Sequence, residues 1–294
     1  KNNRITGTCG AGIYLTGWVE SIGNQVGVTT AAVDKDGLRI EMKGGDCIMD
    51  GNRIPDETTR ILGDNFVCLV TRNVLDVMEI AAGRIKIDNN SLTNIKAPSC
   101  QSLEFTNNKI FGASSTEPVA NLYTNHCIVA GNHVEITGSA AGGAVFRFYG
   151  EGQIFTGNTI EIGGGQAAWF HSGSEDVTFM SNRIVSGSTA VDAVELYGDG
   201  HKVIANTMKG GRECLRVRST NTDVLSNTFR DSTANNVNIT ATATICHYDH
   251  NTVAGTGTGA PSPKSRASLR PSAPVWSVWA KKLPRFGPRR GSRP

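Results

Sequence analysis

Arginine, histidine, glutamate and tyrosine recur at fixed positions of a repeat in this chain, and together these residue types could carry out acid–base chemistry. The repeat is marked by regularly spaced asparagines. Counting eleven residues back from six of them gives Asn121, Arg147, His171, Glu195, Arg216 and Thr240. Counting nine back gives Tyr123, Tyr149, Gly173, Tyr197, Arg218 and Thr242, and thirteen back includes Trp169. Aromatic rings stack on apolar sugar faces and arginine binds carboxylates, so these positions suit an acidic sugar polymer.

One reaction that these residues could perform is β-elimination on a uronic-acid polymer. Arg147 or Arg216 would neutralise the carboxylate of the substrate. His171 would then take the proton beside that carboxylate, and Tyr197 or Tyr149 would protonate the leaving oxygen. A polysaccharide lyase is therefore the first functional hypothesis.

Hydrolysis of a glycosidic bond is the second hypothesis. It needs two carboxyl groups, about 5–5.5 Å apart in a retaining enzyme and about 6.5–9.5 Å apart in an inverting one. Glu195 is the only residue with a carboxyl group in the two series of positions, and it is the residue that we single out. Its partner would have to come from a turn or loop, and the candidates are Asp199, Asp192, Glu151 and Glu175. Elimination is therefore easier to assemble than hydrolysis.

A structural role could explain the same residues without any reaction. Arginine, histidine and glutamate in one column would form an alternating-charge ladder that holds stacked strands in register. If the positions are functional, the predicted catalytic residues are His171, Glu195, Tyr197, Arg147 and Arg216. The predicted substrate-binding residues are Tyr123, Tyr149, Trp169, Arg218, Asp199 and Asn121. We predict no metal ligands.

The elements that position these residues follow from a repeated phrase: an apolar residue, two spacers, asparagine, one spacer and a second apolar residue. Phe155 to Ile160 is one example. The last five asparagines are separated by steps of 24, 24, 21 and 24 residues. The whole series is Asn3, Asn24, Asn52, Asn73, Asn90, Asn108, Asn132, Asn158, Asn182, Asn206, Asn227 and Asn251. A fixed period of this length is typical of a solenoid.

The repeat predicts an all-β fold. Asparagine tolerates a left-handed backbone at a turn between two strands, and amides stacked in successive coils can bond to one another. The flanking apolar residues alternate with polar ones, so they point inward. Each coil adds a third strand, such as 144–149. We predict a single-stranded right-handed parallel β-helix of about twelve coils with three strands per coil over residues 1–255. Because the repeat is present from the first residues, we expect its N-terminal end to be truncated.

On this asparagine pattern, the chain resembles the pectin-lyase-like superfamily of right-handed parallel β-helices, which includes pectate lyases, polygalacturonases, alginate epimerases and phage tail-spike depolymerases. The resemblance implies a polysaccharide as partner, an extracellular or virion-associated location and, for tail spikes, a homotrimer. It also allows a non-catalytic function, as a tail-spike stem or an adhesin. The Asp-rich calcium site of pectate lyases has no visible counterpart here, so we expect no cofactor, with calcium as the alternative.

Charge and hydropathy argue against two classes of partner, nucleic acids and membranes. Residues 260–294 contain nine Lys/Arg and no acidic residue, which leaves 20 basic and 26 acidic residues before them. A body with a net charge of about −6 is a poor nucleic-acid binder. No apolar run reaches the ~18 residues of a membrane helix, and no signal peptide is recognisable in the sequence.

The cysteines and the C-terminal segment complete the sequence predictions. Four cysteines (Cys47, Cys68, Cys127 and Cys246) stand five residues before a repeat asparagine, where we expect small core residues with free thiols; a Cys47–Cys68 disulfide is the alternative. Residues 256–294 lose the repeat and are rich in Pro, Ser and Arg, so we predict a disordered basic tail. Such a tail could bind nucleic acid or an anionic surface, but a cloning or assembly artefact explains it better.

Overall fold

The computed structural model describes residues 1–255 apart from positions 3, 9–10, 17–18, 30–35, 43–45, 64–65, 82, 113–119, 241–242 and 244–245. Every strand pairing in this part is parallel, and the strands wind into an all-β solenoid, as predicted. Each turn contributes to three faces, which we call sheets 1, 2 and 3 in chain order around a ladder asparagine. The described part contains no helix that could cross a membrane. The predicted tail, 256–294, lies outside the described residues.

Sheet 1 consists of the strands that end just before the ladder asparagines. It has eleven strands, one for each turn, slightly fewer than the twelve coils predicted; Asn3, which would mark a further turn, lies outside the described residues. The strands are Val19–Ile22, Asp46–Asp50, Val67–Thr71, Arg84–Asp88, Ser102–Thr106, Ile128–Ala130, Ile154–Thr156, Thr178–Met180, Lys202–Ile204, Asp223–Leu225 and His247–Asp249.

The strands of sheet 2 follow the ladder asparagines in the chain, and the strands of sheet 3 complete each turn. Strands confined to sheet 2 are Arg4–Thr8, Gln25–Thr29, Ser91–Leu92, Lys109–Gly112, Arg183–Ser186, Thr207–Gly210, Thr228–Arg230 and Thr252–Ala254. Strands confined to sheet 3 are Ala11–Thr16, Asp36–Met42, Asn94–Ser99, Ala120–Leu122, Val194–Leu196, Leu215–Val217 and Val237–Ile239. Four longer strands bend from sheet 2 into sheet 3 and join both into one hydrogen-bonded sheet: Arg53–Gly63, Val74–Ala81, His133–Phe148 and Thr159–Phe170.

The core fills the inside of the coil with one layer of side chains per turn. Exposed and buried residues alternate along strands such as Asp46–Asp50 and Arg84–Asp88, because successive side chains of a strand point to opposite faces. Phenylalanines stack between turns: Phe148 lies on Phe170 with ring centroids 4.6 Å apart, and Phe155 lies on Phe179 at 5.1 Å. This rigid interior supports the outer face of sheet 3.

The ladder asparagines from Asn24 to Asn227 are buried, and side-chain bonds join them to one another and to the partly buried Asn251. In the middle of the ladder, Asn182 donates its amide to Oδ1 of Asn206 at 2.9 Å and to the Phe155 carbonyl at 3.0 Å. Its own Oδ1 accepts from the side chain and the backbone N–H of Asn158, both at 3.0 Å. Similar side-chain bonds connect each asparagine from Asn24 to Asn251.

The left-handed backbone was predicted at the wrong residue. It occurs not at the ladder asparagines but at the residue before each of them, as in Gly157 (φ 64°), Ser181 (φ 55°) and Ala205 (φ 55°). The preceding residue makes the sharp reversal of the chain, which lets the asparagine turn its amide inward along the stack. Asparagine is therefore needed here for its hydrogen bonds rather than for its backbone conformation.

The cysteines of the described part are free thiols, as predicted. Cys47, Cys68 and Cys127 are fully buried, and Cys246 is partly buried. Cys47 and Cys68 are neighbours in adjacent turns of sheet 1, but no disulfide joins them. Their sulfur atoms fill positions that valine or leucine occupies in other turns.

Candidate functional site

The outer face of sheet 3 carries two adjacent columns of side chains, one residue from each turn. The first, which we call the charged column, follows the strand pairing through Asn121, Arg147, Trp169, Glu195, Arg216 and Asn238. The second, two residues further along each strand, continues the same hydrogen-bond ladder and is called the tyrosine column. It consists of Tyr123, Tyr149, His171, Tyr197, Arg218 and Thr240.

Two positions of the predicted charged column were wrong. We placed His171 and Thr240 in it, whereas the strand pairing places Trp169 and Asn238 there. The prediction counted residues back from the ladder asparagines. That count is correct only if the turn between sheets 3 and 1 has the same length in every coil. Seven residues lie between Phe170 and Thr178, but only five lie between Phe148 and Ile154. The two additional residues shift His171 into the tyrosine column, where we had expected Gly173.

The aromatic side chains of both columns form one continuous surface. The rings of Tyr123 and Tyr149 stack with centroids 4.2 Å apart, and His171 lies 4.6 Å from Tyr149. Trp169 packs edge-on against its neighbours, 5.4 Å from His171 and 6.5 Å from Tyr197. Adjacent turns are about 4.8 Å apart, so four turns present a strip about 15 Å long, which is the length of roughly three sugar rings.

Arg147 and Asn121 lie side by side at the edge of this aromatic surface. The guanidinium of Arg147 is 5.0 Å from the centre of the Trp169 ring, a cation–π contact that fixes its orientation. Oδ1 of Asn121 is buried but accepts no hydrogen bond in the described part. A buried acceptor without a donor favours a hydroxyl group of a ligand at this position.

Glu195 connects the two columns. Its Oε1 lies 2.9 Å from Nε of Arg218 and 3.9 Å from Nε of Arg216, and its Oε2 accepts from Gln166 at 3.4 Å. The guanidinium of Arg218 also lies over the ring of Tyr197, 5.1 Å from its centroid. The side chain of Glu195 is only 15% exposed. It is therefore a partly buried carboxylate whose charge is already balanced by arginine.

Arg216 lies among three carboxylates. Besides its contact with Glu195, it approaches Asp192 at 3.3 Å and Glu213 at 3.8 Å. Asp192 is 4% exposed and also receives two hydrogen bonds from Arg212, at 2.9 and 2.8 Å. This pairing raises the pKa of Arg212. The three arginines and three carboxylates balance one another, so this end of the columns is an ion-pair network.

The other proposed carboxylate partners lie in the turn between sheets 3 and 1. Glu151, Glu175 and Asp199 stack on one another through backbone bridges. Asp199 accepts hydrogen bonds from Thr220 and, at 2.8 Å, from Asn221, and the Thr220 bond lowers its pKa. Asp199 is therefore held as a carboxylate in the turn and is not on the strand face where we had placed the other substrate-binding residues.

The sequence interpretation missed His201. It is 1% exposed, its Nε2 donates to the carbonyl of Tyr197 at 2.5 Å, and its Nδ1 accepts from the N–H of Val177 at 3.3 Å. Burial lowers its pKa, which keeps the ring neutral. His201 stands five residues before Asn206, at the position where four turns have cysteine; Gln153 and Thr222 stand there in other turns, so a polar residue at this position was only a weak signal.

Two tyrosines of the tyrosine column hold their protons strongly. The pKa of Tyr197 is raised by burial and then by the charge of Glu195. The pKa of Tyr149 is raised by burial and then by Tyr123. His171 lies between them in its column, with Nδ1 3.3 Å from Oγ of Ser172. With a histidine between two protonated phenols, the histidine can accept a proton from a bound ligand and a phenol can donate a proton to it.

A metal site is not evident in the described part, where no group of three or more His, Cys, Asp or Glu side chains could hold an ion. The columns instead offer hydrogen-bond donors, aromatic faces and fixed charges.

Comparisons with known proteins bear on the fold. No protein-family model matches the chain, and no curated protein matches it. Among solved structures, it is similar to a point mutant of the periplasmic alginate epimerase AlgG, with a TM-score of 0.50 and 8% sequence identity, over 83% of this chain and 78% of the other. At this identity the likeness concerns the fold alone. The chain therefore shares the fold of that structure, a right-handed parallel β-helix.

Proposed function

We propose that this protein is a carbohydrate-active β-helix protein that binds an acidic polysaccharide along sheet 3 and cleaves it by β-elimination. The observation that carries the proposal is the position of His171 between Tyr149 and Tyr197 in one column, with Arg147 in the neighbouring column one turn away. A cation, a base and two phenolic acids thus face the same strip of surface.

The proposed reaction assigns one role to each of these groups. Arg147 pairs with the uronate carboxylate and stabilises the negative charge that develops when the adjacent carbon loses its proton. His171 accepts that proton. The electron pair forms a carbon–carbon double bond, the bond to the glycosidic oxygen breaks, and Tyr197 or Tyr149 gives its proton to that oxygen. A raised pKa suits a tyrosine to this role because the proton is present at neutral pH.

The state of three of the candidate carboxylates, Glu195, Asp192 and Asp199, supports elimination over hydrolysis. Hydrolysis needs one carboxyl group that is protonated and a second that is free to act as base or nucleophile. Glu195 is paired with Arg218, Asp192 with Arg212 and Arg216, and Asp199 with Thr220 and Asn221. We assign carboxylate binding to Arg147 because its guanidinium lies over the Trp169 ring on the aromatic strip, whereas Arg216 lies among three carboxylates. Glu195 is then a positioning residue for Arg218 and Tyr197.

The solved structure with this fold gives further support for the substrate class. It is an alginate epimerase from the periplasm, and alginate is an acidic polysaccharide. We therefore propose a uronate polymer as the substrate and a location outside the cytoplasm, either extracellular or on a virion. Hydrolysis and non-catalytic glycan binding, as in a tail-spike stem or an adhesin, are the competing functions.

The test is to incubate the full chain with a panel of acidic and neutral polysaccharides. Ultraviolet absorbance of the unsaturated product and the number of reducing ends are followed together. Elimination increases both signals on an acidic polymer, and His171→Gln abolishes both. His133→Gln, a histidine on sheet 2, is the matched control and leaves them unchanged. Reducing ends without absorbance mean hydrolysis. No signal from folded protein, with retained binding, means a glycan-binding module.

A further inference from the structure

Sheet 1 carries most of the exposed large apolar side chains in the described part of the chain. Eight large apolar side chains are exposed in the described part of the chain, and five of them are on sheet 1: Ile48, Val67, Leu69, Ile154 and Met180, at 36–53% exposure. Exposed apolar residues grouped on one face of a soluble protein mark an interaction surface. None of these five sheet 1 residues belongs to the candidate site on sheet 3.

The central column of sheet 1 has a palindromic sequence of side chains. Successive turns place Ile48, Leu69, Lys86, Glu104, Ile128 and Ile154 next to one another on the outer face. Two apolar residues thus precede a positive residue, and two apolar residues follow a negative one. Within the chain, Nζ of Lys86 lies 3.4 Å from Oε2 of Glu104, and each side chain is about half exposed.

We propose that two copies of this chain form a dimer through sheet 1, with antiparallel helix axes and a two-fold axis along the strands between the turns of Lys86 and Glu104. This operation places each column against the same column of the partner and reverses the order of turns. Lys86 then faces the partner's Glu104, and Leu69 faces the partner's Ile128. Ile48 faces the partner's Ile154. Each of these contacts occurs twice by symmetry, which gives two ion pairs and four apolar contacts.

The neighbouring column of sheet 1 is compatible with this arrangement. It runs through Asp50, Thr71, Asp88, Thr106, Ala130 and Thr156, and its next turn is Met180. The same two-fold axis places Asp88 against the partner's Thr106 and Asp50 against the partner's Thr156. No two like charges meet. A parallel arrangement would instead place Lys86 against the partner's Lys86, which is unfavourable.

The expected contact is of moderate size. Six turns at about 4.8 Å and strands of about five residues give a footprint of about 29 by 17 Å on each copy. The two footprints together are about 1,000 Å², near the lower limit of specific interfaces. We therefore expect a reversible dimer that forms at micromolar concentration, rather than a permanent assembly.

Sedimentation equilibrium on the full chain tests the proposal through a pair of charge reversals. Lys86→Glu places two glutamates opposite each other at both ion pairs, and Glu104→Lys places two lysines there, so each variant alone is expected to dimerise at least about tenfold more weakly. Mixing the two variants restores opposite charges at every contact. The mixture is therefore expected to form a heterodimer about as well as the wild-type protein forms a homodimer.

Two further variants separate the interface from effects on folding. Lys202→Glu changes the same charge in the same column of sheet 1, but two turns beyond Ile154 and outside the palindrome, so dimerisation should be unchanged. Ile154→Lys removes an apolar contact at an exposed position and should give a monomer with unchanged circular dichroism. A wild-type protein that stays monomeric at high concentration, a trimeric mass, or a mixture of variants that does not associate would overturn the proposal.

Discussion

Nε of Arg218 lies 2.9 Å from Oε1 of Glu195, and this ion pair joins the charged column to the tyrosine column. The same guanidinium covers the ring of Tyr197. The contact between Glu195 and Arg218 therefore fixes the orientation of the phenol to which we assign proton donation. In the proposed mechanism Glu195, the residue that stands out most in the sequence, therefore acts through Arg218 and Tyr197 rather than on the substrate.

The Glu195→Gln substitution should reduce activity without abolishing it. The amide keeps the shape of the side chain but loses the charge that holds Arg218, so we expect kcat to fall by less than about tenfold, whereas loss of a general base such as His171 costs about 10²–10⁴-fold. The check is to measure kcat and KM on the best acidic polymer for both variants. If Glu195→Gln is as inactive as His171→Gln, Glu195 takes part in the chemistry itself and the assignment is wrong.

The asparagine ladder should contribute strongly to stability at its centre. Asn182→Ala removes both donors and the acceptor of a buried amide and leaves the Asn158 and Asn206 amides and the Phe155 carbonyl short of partners. We expect the free energy of unfolding to fall by about 2–4 kcal/mol, since each unsatisfied buried group costs about 1–3 kcal/mol. Urea titration of Asn182→Ala measures this loss.

Asn251→Ala serves as the comparison for the central variant. Asn251 lies in the last described turn of the ladder and is only partly buried, so water can replace part of its bonds. We expect a loss of less than half that of Asn182→Ala. Equal losses at both positions would mean that burial of the amide does not determine its contribution.

Stability should fall on acidification because of His201. Its folded-state pKa lies below the ordinary value of 6.5, so the unfolded chain binds a proton more readily. The contribution of neutral His201 is therefore complete above pH 6.5 and is lost as the pH falls below it, with a slope of up to about 1.4 kcal/mol per pH unit. The lowered pKa of Asp199 affects stability only below about pH 3.8, the ordinary pKa of the group, which is outside this range.

Thermal unfolding between pH 5 and 8 checks the role of His201. The wild-type melting temperature should be constant above about pH 7 and fall below about pH 6.5. His201→Gln, which has no titrating ring, should be less stable at pH 8 and show a weaker dependence. The same slope in wild type and variant would show that other groups are responsible.

The buried thiols should not react in the folded protein. Burial raises the pKa of Cys100 and Cys214 to about 11 and that of Cys246 to about 12, so the reactive thiolate is rare at pH 8. In a Cys9→Ser variant, which removes the cysteine outside the described residues, Ellman's reagent should detect six thiols only after denaturant is added. Rapid reaction in buffer would contradict the burial of these side chains.

The fold could be predicted because one constraint repeats in every turn. Each turn needs a buried amide at the corner and apolar residues on both sides of it, so eleven copies of the same pattern support one interpretation. This pattern also predicted which side chains lie on the outer face of each strand. Arg147, Glu195 and Arg216 were correctly placed in one column.

The placement of His171 could not be predicted in the same way. The turn between sheets 3 and 1 has no fixed length, and two additional residues after Phe170 change the column in which His171 lies. Contacts between turns, such as the pairing of Arg212 with Asp192 and the bond from His201 to Tyr197, depend on side-chain orientation that a single sequence does not reveal.

Digestion of an acidic polysaccharide in water enriched in heavy oxygen, followed by mass spectrometry of the products, tests the central claim most directly. Elimination breaks the chain without adding water, so the account predicts products that contain no heavy oxygen from the cleavage and that are one water lighter at the unsaturated end. The His171→Gln variant should form none of these products. One heavy oxygen per cleavage at the new reducing end, together with the absence of any product that is one water lighter, would contradict the account and identify the protein as a hydrolase.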